Sequence, residues 1–73
     1  MRIDPDDVRH PYVQLADTLR SQIKSGQLAG RIPSINQLAE QYELSPATVK
    51  RALGILADEG LIHSVRGRGN FTA

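Results

Sequence analysis

Apolar residues return with helical spacing in three blocks, and the pattern then turns strand-like. Tyr12, Leu15, Ala16, Leu19 and Ile23 fall within one narrow stripe, which predicts a first helix from Tyr12 to Ser25. Gly26 stands where a left-handed residue closes a helix. Ile35, Leu38, Ala39 and Tyr42 lie at i, i+3, i+4 and i+7, so a second helix follows Ser34. Ser34 and Gln37 have the spacing of a capping box. The pattern breaks at Glu43-Leu44 and restarts behind Ser45-Pro46, where serine suits the N-cap and proline the first helical position. Val49, Ala52, Leu53 and Leu56 make the buried stripe of a third helix, which Gly60 ends. The runs Leu61 to Val65 and Asn70 to Thr72 lean toward β-structure. They flank Arg66-Gly67-Arg68-Gly69, which predicts a hairpin.

The connecting stretches carry their own signals. Pro33 biases Ile32 toward extended backbone, so Ile32 can start a minor strand. Glu43 occupies the bend between helices two and three, where a left-handed residue is needed. A non-glycine residue there costs about 1 kcal/mol. Leu44 is the natural plug beneath that bend. Residues 1–11, with breakers at Pro5 and Pro11, read as a poorly ordered N-terminal tail, and residues 12–73 as the folded domain.

Two short helices joined by a tight turn suit duplex DNA. The third helix turns Ala47, Lys50, Arg51 and Gly54 away from its apolar stripe, with Thr48 on the flank. Small and hydrogen-bonding groups at a helix start, with cations one turn on, fit a helix that enters a major groove. The pattern alone leaves open an ordinary αα-hairpin with a solvated face. The loop arginines suit phosphates or a narrow minor groove. Gly54 either permits close approach of a backbone or is a tolerated weak position. Arg20 and Lys24, late in helix one, favour its negative end, and His63 reads as a strand residue with no catalytic role.

Composition narrows the rest. The 73 residues make one small domain, only marginally able to support itself on one core. There is no cysteine, hence no disulfide and no thiolate metal site, which fits a reducing, cytoplasmic setting. No apolar run spans a bilayer, and the opening MRIDPDD is too acidic for a signal peptide, so no membrane role is expected. Net charge is only +1, unevenly spread. Residues 1–44 hold five cations and six anions, whereas residues 45–73 hold four cations and two anions. The positive end coincides with the third helix and the hairpin. HExxH and P-loop motifs are absent, no carboxylate pair converges, and no serine has a plausible histidine base. We therefore expect no enzyme activity, no cofactor and no metal.

Several short motifs occur together in order. They are Pro11-Tyr12-x-Gln14-Leu15, Ser25-Gly26-x-Leu28, Arg31-Ile32-Pro33-Ser34, Gln37-Leu38-Ala39, Ser45-x-x-Thr48-Val49-Lys50-x-Ala52-Leu53, Glu59-Gly60-Leu61-Ile62 and Gly67-Arg68-Gly69-x-Phe71. From Pro11 to Ala73 the chain resembles the winged-helix DNA-binding domain of GntR-type bacterial transcription regulators. The resemblance implies a dimeric regulator, usually a repressor, on a palindromic double-stranded operator. It also implies a C-terminal effector-binding and dimerisation domain, which this chain lacks, as a fragment or a naturally short relative would. Many members have arginine where this chain has Asn36, Pro46 and Lys50, and glycine where it has Glu43.

The expected architecture is α+β, a winged helix-turn-helix of three helices plus a C-terminal β-hairpin wing. Ala47, Thr48 and Lys50 are expected to face base edges, with Pro46 at the start of the recognition helix. Ser34, Asn36, Ser45 and Arg51 are expected at phosphates or the periphery. Gly67, Arg68 and Gly69 are expected to form the wing tip near the minor groove, with Arg66 beside it. The rival reading is a winged-helix protein-interaction module without DNA readout.

Overall fold

The structure is a computed structural model that describes residues 10–73. Its elements run α1 (Pro11–Ser25), α2 (Ile35–Tyr42), α3 (Pro46–Asp58), β1 (Ile62–Val65) and β2 (Gly69–Thr72). The expected tail falls mostly on residues 1–9, outside the described residues. At its edge the expectation needs correcting, because α1 begins at Pro11, one residue before Tyr12. Proline fits there as N1, since its missing N–H would have no helical partner. Gly26 closes α1 in the left-handed conformation, φ 81°.

The helix starts form as their residues dictate. Ser34 Oγ accepts the Gln37 N–H at 3.1 Å, and Gln37 Oε1 accepts the Ser34 N–H at 2.9 Å, a complete capping box. Ser45 Oγ accepts the Thr48 N–H at 3.2 Å at the start of α3. Between the two, Glu43 takes the left-handed conformation, φ 57° and ψ 45°. Its N–H and that of Leu44 donate back to the Glu40 and Ala39 carbonyls, so the bend satisfies the last carbonyls of α2. It does so without the glycine that such a bend favours. Leu44 packs half-buried beneath the bend.

The core gathers one stripe from each helix. Leu15, Ala16 and Leu19 of α1 meet Leu38, Ala39 and Tyr42 of α2 and Val49, Ala52, Leu53 and Leu56 of α3. Ile32 and Ile62 close it from the two non-helical ends. Ile55, beside that stripe on α3, is half-buried against the same cluster. Trimming one of the fully buried leucines to alanine costs about 2–5 kcal/mol, a large share of the stability of so small a domain.

The hairpin is antiparallel, pairing Ile62 with Thr72, His63 with Phe71, Ser64 with Asn70 and Val65 with Gly69. Gly69 is therefore a strand residue, not part of the tip as the sequence pattern suggests. The turn consists of Arg66, Gly67 and Arg68, closed by the Arg68 N–H donating to the Val65 carbonyl at 2.9 Å. A third chain segment lines the free edge of β2. Arg31 bridges to Phe71, and the Ile32 N–H donates to the Asn70 carbonyl at 2.8 Å. Gly30 and Thr72 exchange two further bonds of 2.8 Å, one through the Thr72 hydroxyl. The minor strand expected at Ile32 is thus this short edge contact, centred on Arg31. It fixes the wing against the entry to α2.

Candidate nucleic-acid interface

The exposed face of α3 carries Ala47, Lys50 and Gly54, with Pro46 and Ser45 at its start. Lys50 projects one turn into the helix, opposite the buried Val49, Ala52, Leu53 and Leu56. An ideal Cβ on Gly54 would meet nothing within 4 Å, so this part of α3 is open to a close partner.

Thr48 is half-buried, and its hydroxyl lies 2.9 Å from the Ser45 hydroxyl. Two hydroxyls that share one hydrogen leave the other hydrogen to donate outward. Ser45 and Thr48 therefore present a single O–H donor as a unit, and the Ser-x-x-Thr spacing is its sequence signal. Pro46 has no N–H, and the Thr48 and Val49 N–H groups donate to Ser45. The Ala47 N–H alone remains open in this first turn. At α2 the capping box occupies Ser34 and Gln37, leaving the N–H groups of Ile35 and Asn36 open. Ser34 and Asn36 line a shallow cleft with Arg31, Gly69 and Asn70, which sets the start of α2 beside the base of the wing.

The wing turn exposes Arg66 and Arg68 on either side of Gly67, whose φ of 78° a side chain would strain. Among the described residues, Lys50, Arg51, Arg66 and Arg68 pair with no carboxylate. Arg20 is engaged instead. It donates to both Glu59 oxygens and to Asp17, so it is not available to a phosphate or to the end of its own helix. The hydrogen bonds it donates to Glu59 and then to Asp17 push the Arg20 pKa further up. The Arg20 hydrogen bond, with the positive fields of Arg20 and Lys24 behind it, holds the Glu59 carboxyl below the usual carboxylate range.

The expected residues fall on three features, the start of α2, the exposed side of α3 and the wing, and the shared cleft brings the first and the last together. Arg51 departs from them, lying over the Tyr12 ring at the start of α1 with its guanidinium carbon 4.1 Å from the ring centroid. Tyr12 was legible only as a core residue, because nothing local to it announces an arginine 39 positions away. Among the described residues, no group of three or more histidine, aspartate or glutamate side chains is placed to hold a metal, and no helix is long and apolar enough to cross a membrane.

Known proteins resemble this chain in sequence and fold. The HTH-type transcriptional repressor NagR of Bacillus subtilis is 41% identical over 64 residues, 85% of this chain and 26% of that protein. The arabinose metabolism transcriptional repressor of Geobacillus stearothermophilus is 39% identical over 85% of this chain and 18% of its own. The chain thus spans about a quarter or less of these curated relatives. Among solved structures, the DNA-binding domain of AraR in complex with operator ORX1 superposes with a TM-score of 0.87 at 32% identity, covering 96% of this chain and 89% of that one. The family model for bacterial regulatory proteins of the gntR family matches residues 11–71. With three helices, a two-stranded wing and that match over nearly its whole length, the chain belongs to the GntR family.

Proposed function

We propose that this chain is the DNA-binding domain of a transcriptional repressor, with α3 in the major groove and the wing near the minor groove. The observation that carries this reading is the set of Lys50, Arg51, Arg66 and Arg68, exposed on α3 and the wing without carboxylate partners among the described residues. The likeness to an AraR domain in complex with operator DNA supports it. Lys50 donates to guanine O6 and N7 or to a phosphate beside them. The Ser45–Thr48 hydroxyl pair gives one directional donor, and the Ala47 methyl meets a thymine methyl. Pro46 shapes the start of α3 and leaves the Ala47 N–H for a phosphate. Ser34 and Asn36 flank the open N–H groups of α2, which suit a second phosphate. Arg66 and Arg68 reach the wing-side backbone, and Gly67 and Gly69 keep that backbone slim enough to approach it.

On this reading two copies occupy the halves of a palindromic operator, and a separate effector-binding domain supplies dimerisation. The cytoplasm is the compartment. The isolated domain binds weakly, since each copy offers few cations. Duplex titrations at several salt concentrations test this. With about four phosphates neutralised, log affinity falls against log salt with a slope of about −3 to −4. Affinity that ignores salt would overturn the proposal, and selection from a random duplex library identifies the operator.

A further inference from the structure

Arg51 is held unlike the other cations of the interface. Its guanidinium carbon rests 4.1 Å from the centre of the Tyr12 ring, while the side chain as a whole stays exposed. Among the described residues no other interface cation lies on an aromatic ring. The ring itself is fixed: Tyr12 is half-buried against the core, and His10 stacks on it at 5.6 Å with the planes 17° apart. A ring engages a guanidinium through its charge and leaves the N–H donors for an anion. The contrast is Arg20, whose donors are occupied by Glu59 and Asp17. Arg51 is held by the ring and, among the described residues, has no carboxylate beside it.

Its place on α3 determines what that charge can meet. Arg51 follows Lys50 by one residue, so it is turned by about 100° around the helix axis. A helix in a major groove is bordered by the two sugar-phosphate strands, and a guanidinium drawn sideways onto Tyr12 of α1, off the axis of α3, is placed for a strand instead of a base edge. We propose that Tyr12 positions Arg51 to hold a backbone phosphate of duplex DNA on the flank of α3. Through Tyr12, α1 contributes to affinity without touching a base. This rests on the DNA-binding reading above.

The test uses the whole chain and a short labelled duplex of mixed sequence, because a phosphate contact does not depend on the operator. Arg51→Ala weakens binding by roughly ten-fold and makes the salt slope shallower by about one. Tyr12→Leu weakens it by roughly three- to ten-fold when Arg51 is present and by less than about two-fold in the Arg51→Ala background. Tyr12→Phe keeps the ring and stays within about two-fold of the parent. In the free protein the Arg51 Nε–H resonance carries a ring-current shift that Tyr12→Leu abolishes and Tyr12→Phe retains, and it moves when duplex is added. Equal weakening by Tyr12→Leu in both backgrounds would make Tyr12 merely structural and overturn the proposal. So would an unchanged salt slope in Arg51→Ala. If Tyr12→Leu unfolds the chain, the Arg51→Ala slope and the resonance decide. Parent protein that binds duplex with Arg51→Ala unaffected removes only the clamp, whereas parent protein without salt-sensitive binding removes the DNA reading with it.

Discussion

Arg20 grips Glu59 through two parallel hydrogen bonds, Nε to Oε1 at 2.7 Å and a terminal nitrogen to Oε2 at 2.6 Å. They tie α1 to the residue that caps α3, directly before the chain turns into the wing. Glu59→Gln should lower the melting temperature near neutral pH. The Glu59 pKa is depressed in the folded chain, so its stabilisation is present above the unfolded carboxylate value and is lost as pH falls through the depressed one. The gap in melting temperature between parent and variant should therefore close in acid. Because Glu59 is exposed, added salt should narrow it as well. A gap independent of pH would show that the ionised pair is not its source.

Gly54→Ala should stabilise the domain by about 0.5–1 kcal/mol, because alanine restricts the unfolded chain and its methyl has open space on α3. Denaturant unfolding measures the gain. Duplex binding measured on the same variant tells whether DNA approaches this part of the helix closely. A loss of affinity alongside the gain in stability identifies a contact, and unchanged affinity identifies Gly54 as a weak helical position only.

Glu43→Gly should also stabilise, by about 1 kcal/mol, since the bend holds Glu43 at φ 57° where a Cβ is strained. The larger unfolded-state entropy of glycine offsets part of the gain. Equilibrium unfolding in urea checks it. A destabilised variant would mean that the Glu43 side chain contributes more than its backbone strain removes.

Features encoded by neighbouring residues were legible in the sequence. The capping box of Ser34 and Gln37, the Ser45-Pro46 start of α3 and the left-handed Glu43 all depend on a few adjacent positions, as do the apolar stripes. Pro11 was misplaced because proline marks a breaker and a first helical residue equally well. Gly69 was misplaced because strand pairing with Val65, not local composition, sets the length of the turn. For Ile32, the extended backbone was visible in Pro33, but its partner Asn70 was not. Arg20 with Glu59 and Tyr12 with Arg51 were invisible for a common reason. Each pair is 39 residues apart, and only the packing of α1 on α3 brings them together.

Lys50 and Arg68 should have separable effects. Lys50→Ala should cost about 1–3 kcal/mol on the preferred operator and flatten preference at one base pair. Arg68→Ala should lower affinity more evenly across sequences, with some A·T preference going with it, because a wing cation senses groove width and phosphate position. Both variants measured on a panel of single-base operator changes decide the matter. Base preference lost in Arg68→Ala and kept in Lys50→Ala would make the wing the reading element.

The bonds between Gly30 and Thr72 and between Ile32 and Asn70 close a loop that contains α2, α3 and β1. Closing a loop of that length carries an entropy cost of about 3 kcal/mol before any contact offsets it. The helix pair, built from nearer contacts, is therefore expected to form before the wing docks, an order that variants trimmed at Thr72 and at Leu38 test by their separate effects on folding and unfolding rates. Local opening follows the reverse order. A copy that releases the Gly30–Thr72 latch keeps the β1–β2 pairing, so what it loses first is the tie between the wing and the entry to α2, and not the hairpin itself.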